Sequence, residues 1–486
     1  MKVSFNIIMF LGLLSHISCG SKDINSPKNI QSPLNILWII ADDLGTDIGS
    51  YGNDIIHTPH LDKLASESKQ YSNFNTVTAV CSPSRSALIT GMYPVSFNVH
   101  QHRTRYKRKL ADDIIPVTEY FKDSGYFVTN GSSAGEEVQG KTDYNFEHVF
   151  SEMYDGTHWR QRKNNEPFFS QIQISYPHRP FARDSVHPIH HDKITLPPIY
   201  PDHELLRKDW ALYLETIQLV DKLLGEVIDD LEEDGLRDKT VIFFFGDQGR
   251  PHVKAKQYLY TPGTNTPLLI RWPDGRYAGT VSEDLVSTID LPVAALDLAY
   301  IPKPANMAGI NFLKNKREYI YTMRDRRDET VDRIRAVRNK KYKYIKNYYP
   351  ERPFMQANVY KDMRYPARPL LRLLRKDGQL NKDQLLFLEK RPKEELYDLE
   401  KDPDELNNLA TVTSYKNVLI DMTNRLEKWV LEFDKGIYPE DPQEIDFASQ
   451  LSQQRRKKIL DNRGMSEDVT DLEMIAYWNL RFGLVD

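Results

Sequence analysis

Two apolar runs that end in acidic residues constrain this chain more than any other feature. Leu34 to Ala41 is nearly continuous, and Asp42-Asp43 follow it directly. Thr240 to Phe245 is a second such run, closed by Gly246-Asp247-Gln248-Gly249. Short apolar runs without polar alternation are strands covered on both faces, as in a parallel sheet. Phe168 to Ile174 reads as another strand and runs into Pro177-His178. Leu206 to Leu231 carries Ile217, Val220, Leu224, Val227, Ile228 and Leu231 at helical spacing. Strands alternating with helices predict an α/β fold with a mostly parallel sheet flanked by helices. Ligand sites of such sheets gather at the C-terminal strand ends, where Asp42, Asp43 and Asp247 are expected to converge. Three carboxylates at one edge repel unless a cation joins them, and an all-oxygen set suits Ca2+ or Mg2+.

Thr58-Pro59 opens a helix, with Thr58 as N-cap and Leu61, Leu64 and Ala65 on its apolar face. A further helix is expected from Pro83, capped by Ser82 and closed by Gly91. Cys81 then lies at a helix N-terminus, where free backbone N–H groups favour an anion. The chain has two cysteines, and Cys19 falls in the N-terminal leader. Cys81 is therefore left without a partner for an intramolecular disulfide. A lone cysteine is ordinarily a small buried hydrophobe; the residues around Cys81 point elsewhere.

The leader begins with Lys2, has an apolar stretch from Phe5 to Leu14 too short to span a bilayer, and continues to Ser18-Cys19-Gly20. This predicts a bacterial lipoprotein signal peptide over residues 1–19, with a lipid anchor on Cys19 holding the protein to a membrane. His16 stands where such signals usually have Leu, and plain secretion is the alternative. Residues 20–33 read as a polar linker rich in Pro, Ser and Asn. Either way the mature protein is expected outside the cytoplasm, in the periplasm or on the outer membrane or cell surface. The length of 486 residues allows one large domain or two, and 40% hydrophobic residues suffice for a substantial core. A net charge of −4 argues against nucleic acid as the main partner. The C-terminal third is more basic: Arg335 to Tyr349 reads as strand, Glu395 to Ala410 leads into a helix, and the tail after Leu419 is helical in pattern. Arg455-Arg456-Lys457-Lys458 reads as a solvated helix face.

Cys81-Ser82-Pro83-Ser84-Arg85, followed by Thr90-Gly91, has the Cys-x-Pro-x-Arg pattern of the type I sulfatases, and the chain resembles that family from roughly Asn35 to Ala410. The Asp42-Asp43 strand end, the His178 segment, Gly246 to Gly249 with Lys256, and Glu395 to Pro403 also carry the likeness. The segments around Cys81 and from Asp247 to Pro273 look closest to the sulfamidase-like branch, which holds N-sulfoglucosamine hydrolases and bacterial polysaccharide sulfatases. The resemblance implies an alkaline-phosphatase-like fold, with a catalytic domain over 34–330 and a smaller α+β subdomain over 331–486. It implies that a formylglycine-generating or sulfatase-maturing enzyme converts Cys81 to formylglycine (3-oxoalanine), whose hydrate attacks sulfur.

By the same resemblance a divalent cation, usually calcium, is held by Asp42, Asp43, Asp247 and the oxygen of modified Cys81. Gln248 is the further ligand, where the family usually has Asn or His. Arg85 is expected to support the nucleophile, and Lys141 to contact the nucleophile or the sulfate. His178 is expected to bind sulfate or protonate the leaving oxygen, and Lys256 is the preferred candidate for that oxygen, with Lys254 a solvated neighbour. The family's Lys-x-His pair is broken, because Asp143 stands at the second place. Asp143, His100, Arg103 and Arg324 are candidate substrate-reading residues for a sugar hydroxyl, carboxylate or neighbouring sulfate. The expected activity is hydrolysis of sulfate esters on a sulfated polysaccharide, such as ulvan or glycosaminoglycan fragments. N-sulfoglucosamine hydrolysis, phosphonate monoester or phosphodiester hydrolysis, and an inactive glycan-binding lipoprotein are the alternatives.

Overall fold

In the computed structural model, which describes residues 33–484, the apolar runs become the centre of an eight-stranded sheet. The leader with Cys19, and all but the last residue of the linker, lie outside the described residues. The strands are β1 (Asn35–Ala41), β2 (Lys69–Asn75), β3 (Phe127–Ser132), β4 (Gly135–Gln139), β5 (Phe168–Ile174), β6 (Thr240–Gly246), β7 (Leu268–Arg271) and β8 (Thr280–Ser287). Their order is β4-β3-β5-β1-β6-β7-β2-β8. Every residue of β1, β5 and β6 is buried, which is why their sequences do not alternate. These three run parallel, with Ala41 level with Ile174 and Gly246. Asp42 and Asp247 therefore leave the sheet side by side at its C-terminal edge. Only β4 and β7 run against their neighbours.

Each face of the sheet is covered by helices. Leu37, Ile39, Ile242 and Phe244 pack under the helix Glu204–Glu233 through Leu214, Ile217, Val220 and Leu224. Ile36, Trp38, Ile40 and Phe243 pack on the other side, against Leu88 of the helix Cys81–Thr90, Phe121 of Val117–Asp123 and Leu291 of Asp290–Leu298. Trp38 meets Phe169 and Phe245 edge-on, at 4.9 and 5.8 Å between ring centres, an arrangement aromatic quadrupoles favour. Among the described residues no helix is long and apolar enough to cross a membrane.

A second, antiparallel sheet has the order β12-β11-β10-β9, from β9 (Ile320–Arg324), β10 (Ile334–Arg338), β11 (Tyr342–Asn347) and β12 (Glu394–Asp398). It begins at Ile320, ahead of the boundary expected at residue 331. Met422, Leu426 and Trp429 of the helix Lys416–Phe433 cover Val337, Tyr344 and Leu396. The stretch Arg335 to Tyr349 is not one strand but the hairpin β10–β11. Asn339 closes the turn by accepting from the N–H groups of Lys341 and Tyr342 through Oδ1, a turn-forming habit of asparagine.

The helix that carries Cys81 starts two residues earlier than Pro83. Val80, extended at φ −142°, is the cap residue, and its carbonyl accepts from Ser84 N–H at 3.0 Å. Ser82 makes no capping hydrogen bond. Pro83 is tolerated in the first turn because the N–H it lacks has no intrahelical partner there. Gly91 ends the helix at φ 66°, as expected of a left-handed C-cap. Thr58 does occupy the cap position before Pro59, but its hydroxyl serves Gly49 N–H and Asp62 instead of the helix N–H groups.

Candidate active site

The strand ends and the start of the helix Cys81–Thr90 meet at one point. Ligand atoms of Asp42, Asp43 and Cys81 lie within 4.8 Å of one another. Asp43 turns the chain through a left-handed conformation at φ 67°, a place where aspartate is among the better tolerated non-glycine residues. Its N–H donates to Asp247 Oδ1 at 3.0 Å, which fixes the end of β1 against the end of β6. Ser84, one turn into the helix, donates its hydroxyl to the Asp247 carbonyl at 2.6 Å. Cys81 Sγ is 3.8 Å from Asp43 Oδ1 and 3.3 Å from Gln248 Nε2.

Three cations answer the three carboxylates. Arg85 Nε donates to Asp247 Oδ2 at 2.9 Å, and a second guanidinium nitrogen lies 3.6 Å from Asp42. Lys141 Nζ donates to Asp42 Oδ2 at 2.7 Å, and Lys256 Nζ reaches both oxygens of Asp43 at 2.7 Å. His178 Nε2 lies 3.9 Å from Asp43 Oδ2. The Lys256 and Asp43 side chains are closed to solvent at 1% and 0%, whereas Lys141 and His178 are 28% and 31% exposed. Lys141 and His178 are thus the members of the cluster open to solvent.

Burial governs the protonation of this cluster. It pushes the Cys81 thiol up to about 12, against the pull of Lys141 and Lys256. Burial, and then the adjacent Asp42 carboxylate, push Asp247 up to about 7. Burial raises Asp43 as well, but Lys256 with His178 more than reverses it and holds it below the ordinary carboxylate range. Burial, then the charge of Lys256, lower His178 and favour its neutral form. Its Nδ1 donates to the Arg179 carbonyl at 2.7 Å, so Nε2 carries the lone pair, with the Tyr360 hydroxyl 3.4 Å away.

The donor set fits a hard divalent cation. Gln248 is fully buried; its Nε2 donates to Asp43 Oδ1 while its Oε1 has no hydrogen-bond partner among the described residues, so a half-turn of the amide brings an oxygen to the carboxylates in place of the nitrogen. Asp42 Oδ1 lacks one too. Orphaned buried oxygens are costly and call for a partner. The raised Asp247 shows that the three side-chain cations leave one carboxylate poorly compensated. Oxygen donors from carboxylates and an amide are the set calcium and magnesium take.

Around this centre the other expected residues fall into two groups. Arg103 grips Asp143 with Nε and a terminal nitrogen at 3.0 and 2.9 Å, and Asp143 lies 3.9 Å from Lys141 Nζ. His100 and Arg324 are not brought to the cluster. His100 is buried beside Tyr438, with neither ring nitrogen partnered, because the packing of the C-terminal subdomain closes over it. Arg324 is buried in an ion pair with Asp332 at 2.9 Å, on the Tyr258 ring. Lys254, expected in solvent, is also buried, and donates to the carbonyls of Asp404 and Glu405. Sequence reasoning missed Gln173, which accepts from Arg85 at 2.7 Å. Gln171 and Gln173 are polar residues inside a fully buried strand, a signal that was present. It also missed Tyr360, which stands over Lys256 and Arg327 and beside His178 and comes from a distant part of the chain.

Comparison with known proteins shows the family and the fold. The sulfatase family profile matches residues 34–301, and that of the N-sulphoglucosamine sulphohydrolase C-terminal region matches 251–367. An ulvan-active sulfatase of Formosa agariphila is 32% identical over 87% of this chain and 81% of its own length. Human N-sulphoglucosamine sulphohydrolase is 26% identical over 82% of this chain and 90% of its own. Among solved structures, Ps i-CgsB in complex with k-i-k-neocarrahexaose shares the fold at a TM-score of 0.60 and 20% identity, covering 88% of this chain and 99% of that one. The phosphonate monoester hydrolase SpPMH from Silicibacter pomeroyi shares it at 0.59 and 18%, covering 82% and 96%. The chain belongs to the sulfatase family and is a sulfuric ester hydrolase.

Proposed function

We propose that this protein removes sulfate esters from a sulfated polysaccharide or its oligosaccharides, using formylglycine made from Cys81 and a divalent cation, calcium by preference. The convergence of Asp42, Asp43, Asp247 and Gln248 on Cys81 at a helix N-terminus carries the proposal. The two relatives active on ulvan, at 32% and 26% identity over 87% of the chain, support a polysaccharide substrate. Export to the periplasm or cell surface, with Cys19 acylated, is the matching location.

Asp42, Asp43, Asp247 and the amide oxygen of Gln248 would hold the cation. When bound it neutralises one sulfate oxygen and helps ionise the attacking hydroxyl, which the hydrated aldehyde supplies as a hard oxygen where a thiol would be a poor ligand. The chain's own residues do the rest. Three carboxylates and three cations leave the cluster formally neutral, so a dication is balanced by a sulfate ester and one ionised hydroxyl. Lys141, the most open of the three cations, is placed to receive the sulfate. Arg85 keeps Asp247 and the helix start in register. Lys256, charged and buried, is the proton donor to the leaving oxygen, since neutral His178 presents a lone pair at Nε2. His178 is then placed to accept a hydrogen bond and to orient the ester. The bidentate pair Arg103–Asp143 takes the place of the missing histidine as a substrate-reading element.

The test is free sulfate released from a panel of defined sulfated oligosaccharides, alongside an aryl sulfate and a phosphodiester. Sulfate release that Cys81→Ala abolishes is expected, with the Cys81 peptide showing by mass the change of –CH2–SH to –CHO, in which the sulfur and two hydrogens are lost and one oxygen is gained. A larger kcat/KM on the phosphodiester, or activity that survives Cys81→Ala, would sink the proposal.

A further inference from the structure

We propose that a cavity of about 420 Å³ behind the His178 wall is a second anion site, one that holds a sulfated stretch of glycan away from the ester being cleaved. Its walls come from Arg179 to Arg183, from Asp209 and Leu212 of the long helix, from Arg364, and from the C-terminal helix Asp471–Arg481 with Phe482. That C-terminal helix lies beyond both matching family profiles, which end at residues 301 and 367.

The charge of this cavity is one-sided. Asp209 is its only lining carboxylate, and Arg179 grips it with both terminal nitrogens at 2.7 and 2.5 Å. Arg183, Arg364 and Arg481 also line it, and among the described residues none of the three forms an ion pair within 4.0 Å, in a chain otherwise rich in such pairs. A fourth arginine, Arg463, lies just behind Trp478, 5.2 Å from its ring, and forms no ion pair with a carboxylate among the described residues. Burial depresses Arg463, and the like charges of Arg364 and Arg481 add to this against the opposing pull of Tyr477. Guanidinium groups gathered round a hollow whose one lining carboxylate is already paired form a positive potential well for an anion. Their planar forks match the oxygens of a sulfate. Phe181 and Trp478 add flat apolar faces of the kind a sugar ring packs on.

The cavity is joined to the active site by two short links. His178 and Arg179 are consecutive. Tyr360 and Arg364 lie four residues apart on the helix Val359–Arg364, hence on one side of it and about 5–6 Å apart at Cβ. Tyr360 faces His178, and Arg364 faces the cavity. Both links put the cavity next to the His178 side of the active site. The inference rests on the sulfated-glycan substrate proposed above.

Arg183 and Arg481 are exposed, so they can be changed without touching the core. The double variant Arg183→Glu/Arg481→Glu, with Arg183→Ala/Arg481→Ala as the milder form, is assayed on a sulfated hexasaccharide and on its sulfated monosaccharide. KM for the hexasaccharide is expected to rise about tenfold in the glutamate form, with kcat and both constants for the monosaccharide unchanged. An unchanged hexasaccharide KM overturns the site. A separate arm needs no catalysis: titration calorimetry at about 0.15 M salt, in the Cys81→Ala background, with the sulfated hexasaccharide, its desulfated form and inorganic sulfate. Loss of hexasaccharide binding on charge reversal supports the cavity even if no ester is ever hydrolysed, which would sink only the activity. Intact hydrolysis with binding indifferent to the arginines, or equal binding of the desulfated form, removes the cavity alone.

Discussion

Arg103 and Asp143 face each other from two left-handed residues, at φ 55° and 50°. Non-glycine residues held there store strain, and such strain collects at functional positions. Neither conformation is readable from sequence, yet Asp143 itself was, because it breaks a familiar Lys-x-His spacing. Asp143→Asn keeps the shape and removes the charge that holds Arg103. The expected result is a KM several-fold higher on the true oligosaccharide, with kcat and melting temperature nearly unchanged; a fall in kcat alone would place Asp143 in the chemistry instead. His100 tells the opposite story. Its neighbours Tyr438 and Arg335 arrive from far along the chain, so its burial was illegible. Burial, and then Arg335, lower it to about 3, and burial lowers His102 to about 4 despite Asp328. Both histidines take up protons in the unfolded chain before they do so in the folded one. Stability is thus full above the unfolded value near 6.5 and is lost as pH falls from there, toward about 4 for His102 and about 3 for His100. His100→Leu is expected to flatten that loss by up to about 1.4 kcal/mol per pH unit, read by denaturant unfolding at several pH values.

At the scale of elements, the legible parts were those in which local pattern and tertiary role agree. The runs of β1, β5 and β6 are apolar because both sheet faces are covered, so their bounds could be read to within a residue or two. Their acidic ends were legible as a site because a buried strand has no structural use for two consecutive aspartates. The helix at Cys81 was placed two residues late, since a Ser-Pro pair imitates a cap and N1 while the real cap is a valine fixed by tertiary packing. The hairpin β10–β11 was merged into one strand because Asn339-Lys340-Lys341 lacks the Gly that marks a tight turn. The loop after β6 shows what the sequence hides in a glycine. A Cβ on Gly249 would stand 2.2 Å from the Pro262 carbonyl oxygen, an approach only glycine permits. Gly249→Ala must push residue 249, and with it the adjoining Gln248, away from the helical turn Thr261–Thr264. Thermal unfolding is expected to show a loss of about 2 kcal/mol or more. Sulfate release is expected to fall further than that loss explains, with cation affinity weakened; unchanged activity would exclude Gln248 from the metal site.

For the molecule as a whole, the C-terminal edge of the large sheet is where folding and function are linked. Folding gathers Asp42, Asp43 and Asp247 from positions some two hundred residues apart and buries them, at a cost the unfolded chain does not bear. Arg85, Lys141 and Lys256 offset much of that cost. Burial and the neighbouring carboxylate nevertheless leave Asp247 near 7, so one negative charge is incompletely stabilised. A dication that binds this edge binds only the folded state and must raise its stability. At a concentration a hundredfold above its dissociation constant it adds about 2.7 kcal/mol, which for a chain of this length is a shift of roughly 3 °C. Chelation is expected to lower the melting temperature by that amount and to abolish sulfate release together. Added Ca2+ should restore both, and Mg2+ should restore them less fully because its strict octahedral geometry suits a site with a long glutamine arm poorly. Asp247→Asn removes the least compensated charge, so it should melt near the chelated wild type and no longer respond to either ion. If Asp247→Asn still gains the full shift from Ca2+, the stabilising cation sits elsewhere on the molecule and the strand-end cluster is held by its lysines and arginine alone.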